Sequence, residues 1–315
     1  LGLSVGLSMG GARVLEENQR SLDRLMMSLM RGDANPGSRG FSREADLGSV
    51  VRMKEDGSSR TALRVFSEER PGYLRGQAYG RYTDSRWKTV AEREELSPAR
   101  VAATEREENL FILQRSSPRP WQEFETWPDP QITEGMFVPR NTVAVKAPAE
   151  STQVDENGIV SSDTLVRGVP YSAYVARRSG YPVGTPKFAA DRYRVVPRVD
   201  RRIRRLARRI FSGRTTVEGK VAAVERYFHR NYRYSLGVQI PEGRDPLRYF
   251  LLEKPAAHCE YFASGAAILL RLGGVPTRYV AGFVATEKNS IGGYWLARHR
   301  DAHAWVEAYA PGTGW

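Results

Sequence analysis

One cysteine stands among 315 residues: Cys259, in "AAHCEYFASGAAILLRLGG", where an apolar helical pattern begins. Unpaired N–H groups and the dipole at a helix start favour a thiolate over a thiol, which would make this sulfur a nucleophile. The other role open to a lone cysteine is that of a small buried hydrophobe. Two features point towards chemistry. His258 and Glu260 flank the sulfur, which suits a partly open site better than a core. A histidine able to act as its base follows in "RDAHAWVEAY", at His303. The other histidines suit that role less. His229 lies near a helix end beside Arg230 and faces solvent, His258 adjoins the cysteine and points another way, and His299 precedes a turn, "RHRD". Zinc accepts a set such as His258, Cys259, His299 and His303. Residues four apart on an extended strand are about 13 Å apart, however, so that set needs a sharp bend. No metal and no cofactor is expected.

Elements must hold these residues in place. A helix from Cys259 to Leu272 stops at Gly273-Gly274. Three helices precede it. In "RVDRRIRRLARRIFSG", Ile203, Leu206, Ile210 and Phe211 share a face. Thr215 and Glu218 open the next at capping-box spacing, and Val217, Val221, Val224 and Phe228 repeat along it. Asp245-Pro246 starts a third, carrying "LRYFLLE". Then "VPTRYVAGFVAT", "GGYWLA" and "AHAWVEAY" read as strands, so residues 186–315 form an α+β unit, helices first and sheet after. Residues 36–185 have another texture. Short runs such as "SVVRM", "TALRVF", "GYLRGQAY", "WKTV", "NLFILQ", "TVAVKA" and "YSAYVAR" alternate with turns such as "EDGSS", "RSSPRP" and "DENG". They predict an all-β, sandwich-like domain, closed by the linker "SGYPVGTPK". Residues 1–35 hold one amphipathic helix, with Leu15, Leu22, Leu25, Met26 and Leu29 at helical spacing, ended by "RGDANPGSRG".

Forty-eight Lys+Arg against 36 Asp+Glu give a net charge of +12, which favours anionic surroundings. Nucleic acid is not expected, because the arginines at 201–209 lack the aromatic interleaving that base stacking uses. That run is either a solvated face or a contact with anionic headgroups. A single cysteine excludes an internal disulfide framework. No segment reaches the roughly 18 consecutive apolar residues of a membrane span. The opening "LGLSVGLSMGGA", followed by Arg13 and Glu16, reads either as the trailing end of such a span or as a weakly ordered terminus. With Leu1 in place of Met and a stop at Trp315, the chain reads as a fragment of a longer protein.

"HCEYFASGAAILLRLGGVPTRYVAGF" followed by "DAHAWVEAYAPGTGW" resembles the core of the bacterial transglutaminase-like superfamily, across about residues 232 to 315. The likeness is greatest to its membrane-anchored branch with an extracytoplasmic domain, and "YLRGQAYGRYTDSRWK" resembles that branch more loosely. The chain departs from the family at Ala257-His258, where Gly-Phe is commoner. The resemblance implies a papain-like core of helices packed on an antiparallel sheet, with Cys259 as nucleophile and His303 as its base. The third member of the family's triad is an aspartate a few residues beyond the "GW", which here would fall past Trp315. Asp301 is no replacement, since two residues from His303 on one strand it shares that face. The 315 residues are therefore expected to be crippled as a catalyst. The implied chemistry is acyl transfer from a glutamine side chain or peptide amide to an amine or water, through a thioester. The Cys259 N–H is a candidate oxyanion donor, with Tyr234 or Tyr232 beside it; Trp305 would wall the site or pack a core. The implied setting is a periplasmic or cell-surface domain, tied to the membrane by segments this chain lacks. A rival reading is a catalytically silent binding or scaffolding module of the cell envelope with the same shell. His258 and the basic charge favour it, and the Cys259–His303 pair opposes it.

Overall fold

A computed structural model describes residues 41–56, 59–99, 109–114, 120–132, 135–176 and 190–315. The expected helix within residues 1–35 and the linker "SGYPVGTPK" lie outside the described residues.

The helices follow their apolar spacing. Helix α1 spans Ser49–Asp56, α2 Arg201–Ile210, α3 Val217–Asn231, α4 Pro246–Glu253 and α5 Cys259–Leu272. Side chains start three of them. Asp200 accepts the Arg202 N–H, Thr216 the Gly219 N–H and Asp245 the Arg248 N–H. The α3 cap is thus Thr216, one residue after the expected Thr215, because the Thr216 hydroxyl is the one that meets an N–H three residues on. Helix α5 is apolar nearly all round and lies almost wholly buried. Small residues admit its neighbours: a Cβ on Gly265 would stand 3.0 Å from Phe228 and 3.1 Å from Leu251 and Phe250. It ends where Gly274, at φ +79°, turns the chain and the Val275 N–H returns to the Leu270 carbonyl.

Two larger antiparallel sheets carry the rest. Their strands are β1 Thr61–Phe66, β2 Gly72–Tyr79, β3 Asn109–Ile112, β4 Trp121–Pro128, β5 Val138–Pro139, β6 Thr142–Ala147, β7 Tyr171–Ala176, β8 Thr277–Ala285, β9 Glu287–Asn289, β10 Tyr294–Arg298 and β11 Ala302–Ala308. A seven-stranded sheet runs β9-β10-β1-β4-β7-β6-β3, and a four-stranded sheet runs β11-β8-β2-β5. Both sheets cross the boundary expected near residue 185. Strand β8 pairs with β2, and β10 with β1, so the β-rich region and the helical region share hydrogen-bonded ladders. Hydrophobic patterning cannot reveal this, since an apolar strand face does not name its partner.

One expected strand is a helix. "SVVRM" lies in α1, because its first N–H groups are taken by a distant carboxylate rather than by a neighbouring strand. A smaller sheet, of Glu44–Asp46, Arg81–Thr83 and Arg86–Lys88, brings Trp87 against α5, where its indole N–H donates to Ser264 Oγ at 2.8 Å.

Between β8 and β11 lies a buried polar joint. Arg278 stands opposite Glu307 and donates to its carboxylate at 2.7 Å, while another guanidinium nitrogen donates to Asn157 at 2.8 Å. Burial alone would push the Glu307 carboxyl up, but Arg278 and Arg75 hold it down at about 2. No helix among the described residues is long and apolar enough to cross a membrane.

Candidate active site

Cys259 is the first residue of α5, and the residue before it caps the helix without a side-chain hydrogen bond. The Cys259 N–H is thereby left free of an internal cap. A short parallel bridge then brings a second group to it. Ser235 N–H donates to the Ala257 carbonyl at 2.9 Å and Ala257 N–H to the Arg233 carbonyl at 3.1 Å. Tyr234, held between them, meets Cys259 twice: its hydroxyl takes the Cys259 N–H and lies within hydrogen-bonding reach of the thiol. Burial first, and Cys259 second, push the Tyr234 phenol up to about 12, so it remains a donor. Its ring is 54% exposed, so one side of this cluster is open.

Tyr232, two residues earlier, is committed elsewhere. It is packed among Phe228, Phe250 and Phe262, and its hydroxyl donates to the Leu251 carbonyl at 3.1 Å.

His303 comes from β11, which packs on α5. The N–H of the next residue, Ala304, draws the Cys259 thiol down, and the strand that carries the imidazole packs on the helix that carries the sulfur. Across the ladder His303 faces Gly282. A Cβ on Gly282 would come within 2.0 Å of the Leu74 carbonyl, so only glycine lets β8 approach β2 there. The thiol's surroundings differ from the partly open site expected. Cys259, His258 and Glu260 are all buried. Burial raises the thiol, against the pull of Lys54, the Ala304 N–H and Tyr234. Burial, then Lys54, lowers the His303 imidazole to about 4. Desolvation is thus the largest influence on both groups.

The other histidines take separate places. His229 is exposed. His299 is fully buried, with Nε2 3.7 Å from Asp129. His258 lies edge-on to Tyr261, and its Nδ1 is 3.3 Å from Glu260 but without hydrogen-bond geometry. Burial and then Lys54 lower it to about 4, so this contact is no ion pair near neutrality. Asp301 is not on the His303 strand as expected. It closes a 3-10 turn, His299–Asp301, and accepts the Arg298 N–H at 2.8 Å. Among the described residues no carboxylate bonds to the His303 ring.

Sequence reasoning missed two residues. Tyr73, on β2, is 51% exposed and stands 6.2 Å from the His303 ring and 4.8 Å from that of Trp305, forming an aromatic rim. Lys54, on α1, is the cation whose charge reaches Cys259, His258 and His303. Both lie about 180 residues or more before the cysteine; Tyr73 opens the loosely resembling stretch "YLRGQAYGRYTDSRWK", and Lys54 lies in a segment with no motif of its own.

The Transglutaminase-like superfamily model matches residues 204–315. A protein-glutamine gamma-glutamyltransferase of Pseudomonas aeruginosa is 36% identical over 115 residues, covering 36% of this chain and 17% of that protein. The protein YebA of Bacillus subtilis, described as uncharacterized, is 34% identical over 134 residues, covering 40% of this chain and 18% of its own length. The matched region is thus under a fifth of either relative. The crystal structure of the periplasmic domain of TgpA from Pseudomonas aeruginosa superposes with a TM-score of 0.67 at 23% identity, over 88% of this chain and 92% of that one. That likeness is one of fold.

Proposed function

Residues 204–315 form a transglutaminase-like domain, and from that premise we propose that the protein catalyses cysteine-dependent acyl transfer on the glutamine side chains of proteins or peptides. The observation that carries the proposal is the meeting of helix start and strand: Cys259 opens α5, and the strand of His303 packs on that helix. The thiol attacks the carboxamide carbon as His303 takes its proton. The C–N bond breaks, the imidazolium returns that proton to the nitrogen, and ammonia leaves behind a thioester. An amine acceptor then attacks the thioester carbon and restores the thiol; water in its place gives hydrolysis. The tetrahedral oxyanion displaces the contact between the Cys259 N–H and the Tyr234 hydroxyl and takes both as donors. Tyr73 and Trp305 offer the substrate an apolar rim.

Extracytoplasmic placement and a membrane tie belong to this reading, supported by the likeness to a periplasmic domain. So does a carboxylate beyond Trp315 to orient His303, without which turnover should be very low. The test uses a glutamine-bearing protein and a fluorescent primary amine, with chains ending at Trp315 and chains continuing past it. The longer chain should attach the amine and its Cys259→Ala variant should not. Equal labelling by the variant would refute the assignment.

A further inference from the structure

Helix α1 reaches the site from a segment more than two hundred residues before Cys259, and it is fastened to the residue after the nucleophile. The buried Glu260 carboxylate receives the Val50 N–H at 3.1 Å, the Val51 N–H at 3.2 Å and the Ser49 hydroxyl at 3.0 Å. A carboxylate at a helix N-terminus satisfies donors that have no internal partner and complements the positive end of the dipole. So engaged, Glu260 acts as a bracket; burial pushes its carboxyl up against the pull of these donors, and its charge disfavours a thiolate beside it.

The bracket sets the rotation and direction of α1. Val50 is fully buried, and Lys54 lies four residues on, one turn along the same face. Helix α1 packs on the 3-10 turn at His299–Asp301 and on β11, the strand of His303. No carboxylate among the described residues pairs with the Lys54 ammonium. Among the described residues, the charged or titratable groups around the thiol are Lys54 from α1, Tyr234 from the bridge segment, Glu260 and His258 at the helix start, His303 from β11, and Tyr279 from β8, whose phenol is held well above its ordinary value by burial.

We infer that Lys54 is a positioning residue of the Cys259 centre: the Glu260 bracket fixes α1 against the start of α5 and against the strand of His303, so that the Lys54 charge acts on the reacting pair and favours the thiolate form of Cys259. The same charge discourages the imidazolium, which makes it a stronger acid towards the leaving nitrogen. This inference rests on Cys259 being the nucleophile.

The test is the rate of iodoacetamide alkylation against pH, between about pH 6 and 10, for wild type, Lys54→Met and Lys54→Arg, with Cys259→Ala as blank. An opposite charge close to an acid is worth one pKa unit or more, so Lys54→Met should alkylate about tenfold more slowly near pH 7.5, with its profile displaced to higher pH. Lys54→Arg, which keeps the charge, should follow wild type. A purely structural lysine would leave the pH profile where it is. Superimposed Lys54→Met and wild-type profiles overturn this inference alone, leaving the proposed function standing. A wild-type thiol that stays unreactive at every pH overturns both. Matching thermal unfolding of the variants shows that the comparison is between folded proteins.

Discussion

The backbone N–H of Ala304 faces the thiol of Cys259 and draws it down against the effect of burial. Helix α5 and strand β11 thus meet at the sulfur, and the imidazole of His303 enters one residue away. Burial sets the resting protonation of the two groups. The thiol is raised and the imidazole lowered to about 4, so near neutrality both are uncharged. In the proposed reaction the ion pair forms as substrate enters and Lys54, Tyr234 and the Cys259 N–H take up the new charge.

Two histidines of the site, His258 and the half-buried His303, make stability sensitive to acid. His258 and His303 are both held at about 4, against an ordinary value near 6.5. Below that value the unfolded chain binds protons that the fold excludes. Their contribution is complete above about 6.5 and is lost as pH falls towards 4, on the order of 3 kcal/mol for each group. His258→Phe cannot take up this proton and keeps a ring against Tyr261. Its urea midpoint should fall less than that of wild type between pH 7 and 5. Equal losses in the two proteins contradict this account.

Tyr234 and Tyr232 should part company. Tyr234→Phe removes a donor facing the oxyanion and should lower kcat by about 10²-fold or more with little change in KM. Tyr232→Phe strands the Leu251 carbonyl and should cost about 1 kcal/mol in unfolding free energy, leaving kcat unchanged. The opposite pattern would place the wrong tyrosine at the carbonyl.

Gly282→Ala tests the sheet behind His303. Its Cβ would collide with the Leu74 carbonyl at 2.0 Å, forcing β8 from β2 and moving the partner of His303 in the ladder. A loss of about 2 kcal/mol or more in denaturant unfolding is expected. An unchanged midpoint would mean the strands do not approach so closely.

Glu307→Gln leaves Arg278 and Arg75 buried without their carboxylate. Breaking a buried pair from one side costs about 3–5 kcal/mol, which urea unfolding near pH 7 should register. Glu307→Gln with wild-type stability would show that the arginines are satisfied by Asn157 and the Gly158 carbonyl.

Much of this arrangement is legible in the residues. Helices α2 to α5 follow from apolar spacing and from Asp200, Asp245 and Gly274 at their ends, and Cys259 at the α5 start is written in "HCEYFASGAAILLRL". Local rules fail where a partner is distant. "SVVRM" is β-branched and short, and it is helical because Glu260 caps it from 209 residues away or more. The pairing of β2 with β8 is equally non-local, so residues 72–79 read as part of a separate domain. Tyr73 and Lys54 were missed for that reason: each enters the site through a tertiary contact that no spacing announces. The burial of Cys259 was missed because the charged look of His258 and Glu260 says nothing of the helix end that covers Glu260.

The central claim is a covalent acyl intermediate on Cys259. Its most direct measurement is the intact mass of the protein, in a chain continuing past Trp315, after incubation with a short glutamine-bearing peptide and rapid acid quench. The account predicts one added mass, equal to the peptide less ammonia, carried by Cys259, absent from Cys259→Ala, strongly reduced in His303→Ala, and discharged by a primary amine. An unmodified protein that nevertheless couples amine to glutamine, or an adduct that survives in Cys259→Ala, would contradict it.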